Sequence, residues 1–568
     1  MRYAVDPRQK PLFDPGEVMF SQMAIQRLRQ GWQGLFRSQL LHLMPAAKLA
    51  ENFHPTLGCP TKELYSMAGA IFLQEFFDLT IEQTVERYLL DSGWHYALNL
   101  VPNSVGISHA TIERYRKLFA ENDLAADVFH RVTSALIEAL DLDISRQRLD
   151  STHVFSDMAT FGRSRLMGVT IKRFLTQLKR HHRPAHDALP EELLARYAPS
   201  QAKLFGDFKG KRSLLRQAVA EDLLFLVNRF ADDPSVTART SYLAMAQVLA
   251  EQCQVSEDKT TVQVKPKTGG NVLQNPSDPD ATYDGHKGPG YQAQIVETCG
   301  KTNDQQLIMG VQEEPAHCVD AEALEPMLEQ LQEHDRLPES LLADTHYGSD
   351  ANVVAAEAVG VDLQSPVGGT PLNPDDLTVD DFAVQESDET VQCCPNGCVP
   401  MSSRHDAQTG QTTTRMRAED CDGCAFRDQC PVRKSGGEYV LRHTPSQRRL
   451  AARRAEQRTE TFGENYAIRA GGESVNSGLK RRTGLGRVRT RGRPRVRMAI
   501  LLRCAGWNIL RALAALQKRR KRASTSAAGL FGRLFGEFCL PETPGMLRAA
   551  LGGHFPRQSP AAQALVIA

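Results

Sequence analysis

Long apolar runs are missing from this chain. No stretch approaches the ~18 uninterrupted apolar residues of a membrane span. The most apolar run, Met498–Leu510, is broken by Arg503 and flanked by cations, so it reads as a buried helix and no membrane partner is expected. The opening MRYAVDPRQKPLFDPGE lacks the apolar centre of a secretion signal, and the expected compartment is the cytoplasm, with the nucleoid inside it. Net charge is nearly absent as well, at +1. That average argues against a polyanion partner, but it hides a local shortage of acid. Between Leu441 and Ala523 there is no Asp, and four Glu face 23 Lys and Arg. Sign asymmetry of this kind points to a polyanion-binding C-terminal region. Residues 375–389 form an acidic segment instead. No internal repeat is present, and 568 residues give room for three or four domains.

Three helical patterns follow one another near the N-terminus. Thr61–Phe77 carries apolar residues at helical spacing, Thr80–Leu90 opens with a Thr80/Gln83 capping box, and Ser108–Phe119 opens with a Ser108 cap. The last helix is expected to leave Arg114, Arg116 and Lys117 exposed, either as a helix-turn-helix DNA reader or as one face of a plain packing module. A strand is expected at Arg146–Phe155 and a long helical stretch over about 165–255. A hairpin then reads from Tyr291–Thr298 and Gln306–Gln312, and a helix from Asp320–His334. A strand at Ser340–Asp344, a helix at Asp350–Val359 and a strand from Val361 complete a mixed α/β sheet.

The segment Tyr466-Ala-Ile-Arg469-Ala-Gly-Gly-Glu473-Ser-Val-Asn-Ser-Gly-Leu-Lys480 reads Y-x2-R-x3-E-x6-K. Drawn as one helix, it puts Tyr466, Arg469, Glu473 and Lys480 on roughly one face. There Glu473 suits a divalent metal, and Arg469 and Lys480 suit phosphates. A solvated charged face is the plainer alternative. Two aspartates share a second phrase, Leu-Asp150-Ser-Thr-His153 and Ala-Asp344-Thr-His346, each expected at a strand end. A carboxylate buried there is costly unless paired or bound to metal. Three carboxylates can hold two Mg²⁺ ions, with Mn²⁺ as a substitute, in the arrangement used for phosphodiester chemistry. His153 and His346 are open between phosphate contact and simple strand-end packing, and Lys287 and Tyr291 between DNA contact and a glycine turn. Asp157, Asp284 and Asp350 rank below the chosen three.

These residues and their order resemble the RNase H-like core of DDE transposases. The Y-R-E-K pattern is similar to the signature that bacterial insertion-sequence transposases carry around their third acidic residue. The resemblance runs over roughly Phe53 to Leu516. It implies an RNase H-like mixed sheet with helical and zinc-ribbon-like insertions, preceded by an all-α DNA-binding domain. It further implies Asp150, Asp344 and Glu473 as catalytic metal ligands, with Tyr466, Arg469 and Lys480 on the transposon-end backbone. The activity implied is cleavage and strand transfer at terminal inverted repeats and target DNA, by a homodimer in a synaptic complex. A repurposed DNA-binding protein without nuclease activity, or a metal-dependent nuclease that never joins, are the competing readings.

Six of the twelve cysteines fall between Cys393 and Cys430. Cys394, Cys421, Cys424 and Cys430, with Cys398 as substitute, have spacing suited to a structural Zn²⁺. From Lys480 through Arg481 and Arg482 to Arg497 a cation recurs at nearly every second position, among Gly, Thr and Val, as expected of flexible phosphate contacts. The expected organisation is an N-terminal arm (1–50), a helical DNA-binding domain (51–140) and a first core part (141–372) with a helical insertion near 165–255. An acidic, Cys-rich insertion (373–440), a C-terminal core part (441–520) and a flexible tail (521–568) follow.

Overall fold

The computed structural model describes residues 1–9, 14, 20–100, 106–206, 209–369, 373, 375–385 and 387–535, with side chains to Arg522. It divides into two units, Met1–Ala515 and Leu516–Ala568; the expected tail lies largely outside the described residues. After short helices between Gln22 and Ala50, the first unit builds a helical module from α1 (Leu64–Phe76), α2 (Ile81–Leu90), α3 (His109–Glu121) and α4 (Leu124–Leu140). Local chemistry sets where these helices begin. Glu63 accepts from the Tyr65 and Ser66 amides, Thr80 and Gln83 form the reciprocal capping box, and Ser108 accepts from the Thr111 amide. One expectation fails on α3. Arg116 is buried, not exposed, because Glu75 of α1 pairs with it at 3.2 Å. Arg114 and Lys117 stay exposed, Arg114 lying over the Phe53 ring.

The central sheet starts with β1 (Arg146–Val154). A helical insertion with its own apolar core follows, built on α5 (Arg163–His181), α6 (Arg212–Phe230) and α7 (Thr240–Gln252). The hairpin β2 (Gly288–Thr298) and β3 (Ile308–Pro315) returns antiparallel to β1. Next come α8 (Leu324–Glu333), β4 (Ser340–Leu342), α9 (Asp350–Ala358) and β5 (Asp362–Gln364), with both strands parallel to β1. The order across the sheet is β3-β2-β1-β4-β5, so β1 is central, antiparallel to one neighbour and parallel to the other. The chain is mixed α/β, as the alternation of strand and helix patterns implied.

A small four-stranded sheet, β6 (Ser402–Asp406), β7 (Gln411–Met416), β8 (Arg433–Ser435) and β9 (Glu438–His443), carries the cysteine-rich region and a separate small core. The chain then enters α10 (Pro445–Glu456), α11 (Glu460–Tyr466), α12 (Gly471–Thr483) and α13 (Arg493–Phe535). Within the first unit α13 is a core helix, with Arg503 fully buried. The Arg503 guanidinium donates to the Thr483 carbonyl at 2.8 Å, Asp78 at 2.8 Å and Glu75 at 3.3 Å, tying the end of α12 to the helical module. By length and composition Arg493–Arg522 could cross a membrane, but 72% of its apolar window is buried against protein.

Candidate active site

Strand register brings the two aspartates together. Arg148 of β1 pairs in parallel with Leu342 of β4, and continuing that register by two residues sets Asp344 beside Asp150. Asp150 is the fifth of nine residues in β1, a correction to its expected place at the strand end. Two strands leave it reachable: β4 stops at Leu342, so the chain turns away over Asp344 rather than covering Asp150. Asp344 caps the following turn, accepting from the His346 amide at 2.8 Å.

Arg148 and Asp150 share a face of β1, and both meet the Y-R-E-K segment. The Arg148 guanidinium is held by buried Glu297 and donates to the Ile468 carbonyl at 2.9 Å, while Arg146 donates to the Asn465 carbonyl at 3.1 Å. The consequence is a break in the expected single helix: α11 ends at Tyr466, Ala467–Ala470 is a 3₁₀ turn, and α12 begins at Gly471. A carbonyl drawn sideways to Arg148 and two successive glycines, poor helix formers, account for it. The turn delivers Arg469 onto the aspartates, with Nη2 at 3.2 Å from Asp150 and 3.5 Å from Asp344. Asn476 of α12 donates to the other Asp150 oxygen at 3.1 Å, and the Cα of Gly472 faces the same carboxylate. Burial pushes the Asp150 carboxyl above the usual range, Arg469 pulls it back, and Asp344 and Asp320 push it up further.

Glu473 lies between those two contact positions in the first turn of α12, exposed, with no ion pair or hydrogen bond among the described residues. No group of three or more His, Cys, Asp or Glu side chains among the described residues stands ready to hold a metal ion. The donors nonetheless fit a hard dication in kind: two carboxylates, one on β1 and one just past the end of β4, converge on one cationic nitrogen. Tyr466 is half-buried and stacks on Phe462 with ring centroids 5.6 Å apart. Lys480, Arg481 and Arg482 are exposed at the C-terminal end of α12.

His153 is buried, its ring 3.3 Å from the Pro289 carbonyl, and burial holds it below the usual histidine value, which suits packing rather than phosphate contact. His346 is exposed. The lower-ranked carboxylates are otherwise engaged: Asp157 with Arg491, Asp284 with the His286 and Lys287 amides, Asp350 with Arg449. Lys287 reaches Ser151 at 3.5 Å, and the buried Tyr291 hydroxyl donates to Asp278. Sequence reasoning missed Arg148, Asn476 and Asp320. Asn476, three residues past Glu473 inside the motif, was the one within reach of a spacing argument.

The basic segment differs most from expectation. Residues 486–490 run alongside the chain just after β1, bonded through Phe155 N to Gly486 O at 3.0 Å and Val488 N to Phe155 O at 2.8 Å. Val488 and Thr490 point inward and alternate arginines point out. From there every second residue is ion-paired: Arg489 with Asp78, Arg491 with Asp157, Arg493 with Glu313, Arg495 with Glu113 and Arg497 with Asp123. The segment is a strap neutralised by the body of the protein, not a flexible run of free cations. The cysteines also fall short of a ready centre. Cys394, Cys398, Cys421, Cys424 and Cys430 line one small pocket, and burial raises the thiols of Cys421, to about 11, and of Cys430.

A family model described as "Transposase DDE domain" matches residues 393–513, which takes in the cysteine region, the Y-R-E-K segment and the strap but not Asp150 or Asp344. The match supports a DDE transposase, a class that cleaves and joins DNA with divalent metals, typically Mg²⁺. No curated protein and no solved structure matches the chain.

Proposed function

We propose that the chain is the transposase of a bacterial insertion sequence, cutting DNA at terminal inverted repeats and joining the freed ends to target DNA. The observation that carries this reading is the convergence of Asp150 and Asp344 on Arg469, which itself lies one turn before Glu473 in the segment 393–513 that is similar to a DDE domain. Strand order β3-β2-β1-β4-β5 supports an RNase H-like core. Asp150, Asp344 and Glu473 would hold Mg²⁺, two ions in the full site, which activates the attacking oxygen and stabilises the leaving one. Asn476 and the Ser151 amide orient Asp150 by hydrogen bonds to its two oxygens. Tyr466 and the exposed cations Lys480, Arg481 and Arg482 would contact the DNA backbone, and Arg114 and Lys117 would offer a second contact on the helical module. Handling two ends together calls for a homodimer.

For the cysteine pocket we infer a structural Zn²⁺ held by Cys394, Cys421, Cys424 and Cys430, with Cys398 as substitute. Five thiols crowding one pocket are the donor chemistry zinc prefers, and metal analysis of the purified protein tests it.

The deciding experiment compares wild type with Glu473→Gln on DNA carrying the element's end, in Mg²⁺. End-specific nicking lost in the variant, with joined products in wild type, is the expected result. DNA binding without cleavage in both proteins would instead favour a repurposed DNA-binding protein, the reading favoured by the lack of a ready three-carboxylate group among the described residues.

A further inference from the structure

We propose that Arg469 is an internal counter-cation that keeps the Asp150–Asp344 pair closed to divalent metal until a phosphate draws it away. The inference rests on the reading of those aspartates as metal ligands. A single nitrogen, Nη2, is 3.2 Å from Asp150 Oδ1 and 3.5 Å from Asp344 Oδ2. A positive atom shared by two carboxylates, one on β1 and one just past the end of β4, occupies the point where a dication would have to sit. Guanidinium and metal therefore compete for the same oxygens.

The arrangement is built to be exchanged. Both contacts are longer than the ~2.7–2.9 Å usual for charge-assisted hydrogen bonds, and Arg469 Nε is buried with no hydrogen-bond partner among the described residues. Its side chain is 20% exposed, so it can reach solvent without unfolding anything. The backbone beneath it is fixed at Ile468 by Arg148 and followed by Gly471 and Gly472, a short turn between an anchor and two glycines. The exposed Lys480, Arg481 and Arg482 give an arriving phosphate backbone its first hold on the same helix.

Phosphate binding and metal binding are then linked, each raising the affinity for the other by the same factor. Without DNA the pair carries a guanidinium and takes up little metal, so the charged site is not left open to adventitious hydrolysis. When Arg469 turns to a phosphate, two carboxylate oxygens come free together.

The test is Mn²⁺ affinity by calorimetry, read as the component lost in Asp150→Asn, for wild type, Arg469→Gln and Lys287→Gln. Lys287 reaches Ser151 but neither aspartate, so its variant removes a nearby charge without opening the pair. Arg469→Gln is expected to bind Mn²⁺ at least about tenfold tighter than wild type, the low end of what one guanidinium does to a neighbouring carboxylate. Lys287→Gln should move it about threefold at most, as a charge held mainly in solvent does. Wild type supplies a second arm that no variant's folding can spoil: adding a mixed-sequence DNA duplex should raise the Asp150-dependent Mn²⁺ affinity by a similar factor. Equal affinity in wild type and Arg469→Gln, or an equal rise in both charge variants, overturns the counter-cation role and leaves the metal site standing. An absence of Asp150-dependent Mn²⁺ binding in every protein removes the metal site itself.

Discussion

Replacing Gly471 by alanine sets two effects against each other, and the structure decides which wins. Alanine is the better helix former by about 1 kcal/mol, so propensity alone expects a firmer α12. A Cβ at this position, however, would stand 2.1 Å from Nη1 and 2.8 Å from Cζ of Arg148. That guanidinium has nowhere cheap to go, since it is paired with buried Glu297 and bonded to the Ile468 carbonyl. Losing the Ile468 bond alone costs roughly 1.5–3 kcal/mol, as for hydrogen bonds to charged groups. Displacing Arg148 from Glu297 as well costs roughly 3–5 kcal/mol. Net of the propensity gain, Gly471→Ala should destabilise the segment by about 2 kcal/mol, with about 4 kcal/mol as the upper end. Gly472→Ala is the contrast: its Cβ would meet Asp150 at an ordinary 3.5 Å, so no clash term applies. Amide hydrogen exchange over residues 471–483 reads the local opening free energy directly. Faster exchange in Gly471→Ala, and no further loss when Arg148→Ala already removes the obstacle, is the expected pattern. Exchange as slow as wild type or slower in Gly471→Ala would refute the argument that Arg148 fixes this turn.

Two further outcomes follow from buried charge. His130 stacks on His334 at 3.5 Å, and burial, with His334, Arg336 and Arg497 adding to it, holds its pKa down at about 3 against an ordinary 6.5. The unfolded chain therefore takes the proton first, so stability is full above pH 6.5 and falls as pH drops toward about 3; thermal melts of His130→Phe should show a shallower acid loss across that window. Arg503→Met strands Glu75 and Asp78 and cuts the tie from Thr483. A loss of roughly 3 kcal/mol is expected in denaturant unfolding, the low end for a broken buried pair because Arg116 and Arg489 still serve those acids. A loss below about 1 kcal/mol would mean that the network carries little.

Much of the secondary structure was legible because its causes are local. The Thr80/Gln83 capping box and the Ser108 cap are each written within a few residues, and the structure places helix starts there. The repeated Asp-(Ser)-Thr-His phrase marked both aspartates, and parallel register set them side by side. What stayed hidden was set by partners far along the chain. Arg116 reads as a solvent cation until Glu75 is packed against it. Arg489, Arg491, Arg493, Arg495 and Arg497 read as free phosphate contacts, whereas five acids from four separate regions neutralise them.

The chain by itself determined several helix starts, the succession of strands and helices along it, the uneven charge and the residue types a phosphodiester site needs, because propensity, capping and composition act over short range. Tertiary structure alone decided that the Y-R-E-K segment breaks at Ala467–Ala470, that Arg469 bridges Asp150 and Asp344, and that Glu473 is exposed. Those outcomes depend on Arg148 reaching across more than 300 residues of sequence to the Ile468 carbonyl. The energy of such a contact exists only once β1 and the late helices share one face of the sheet.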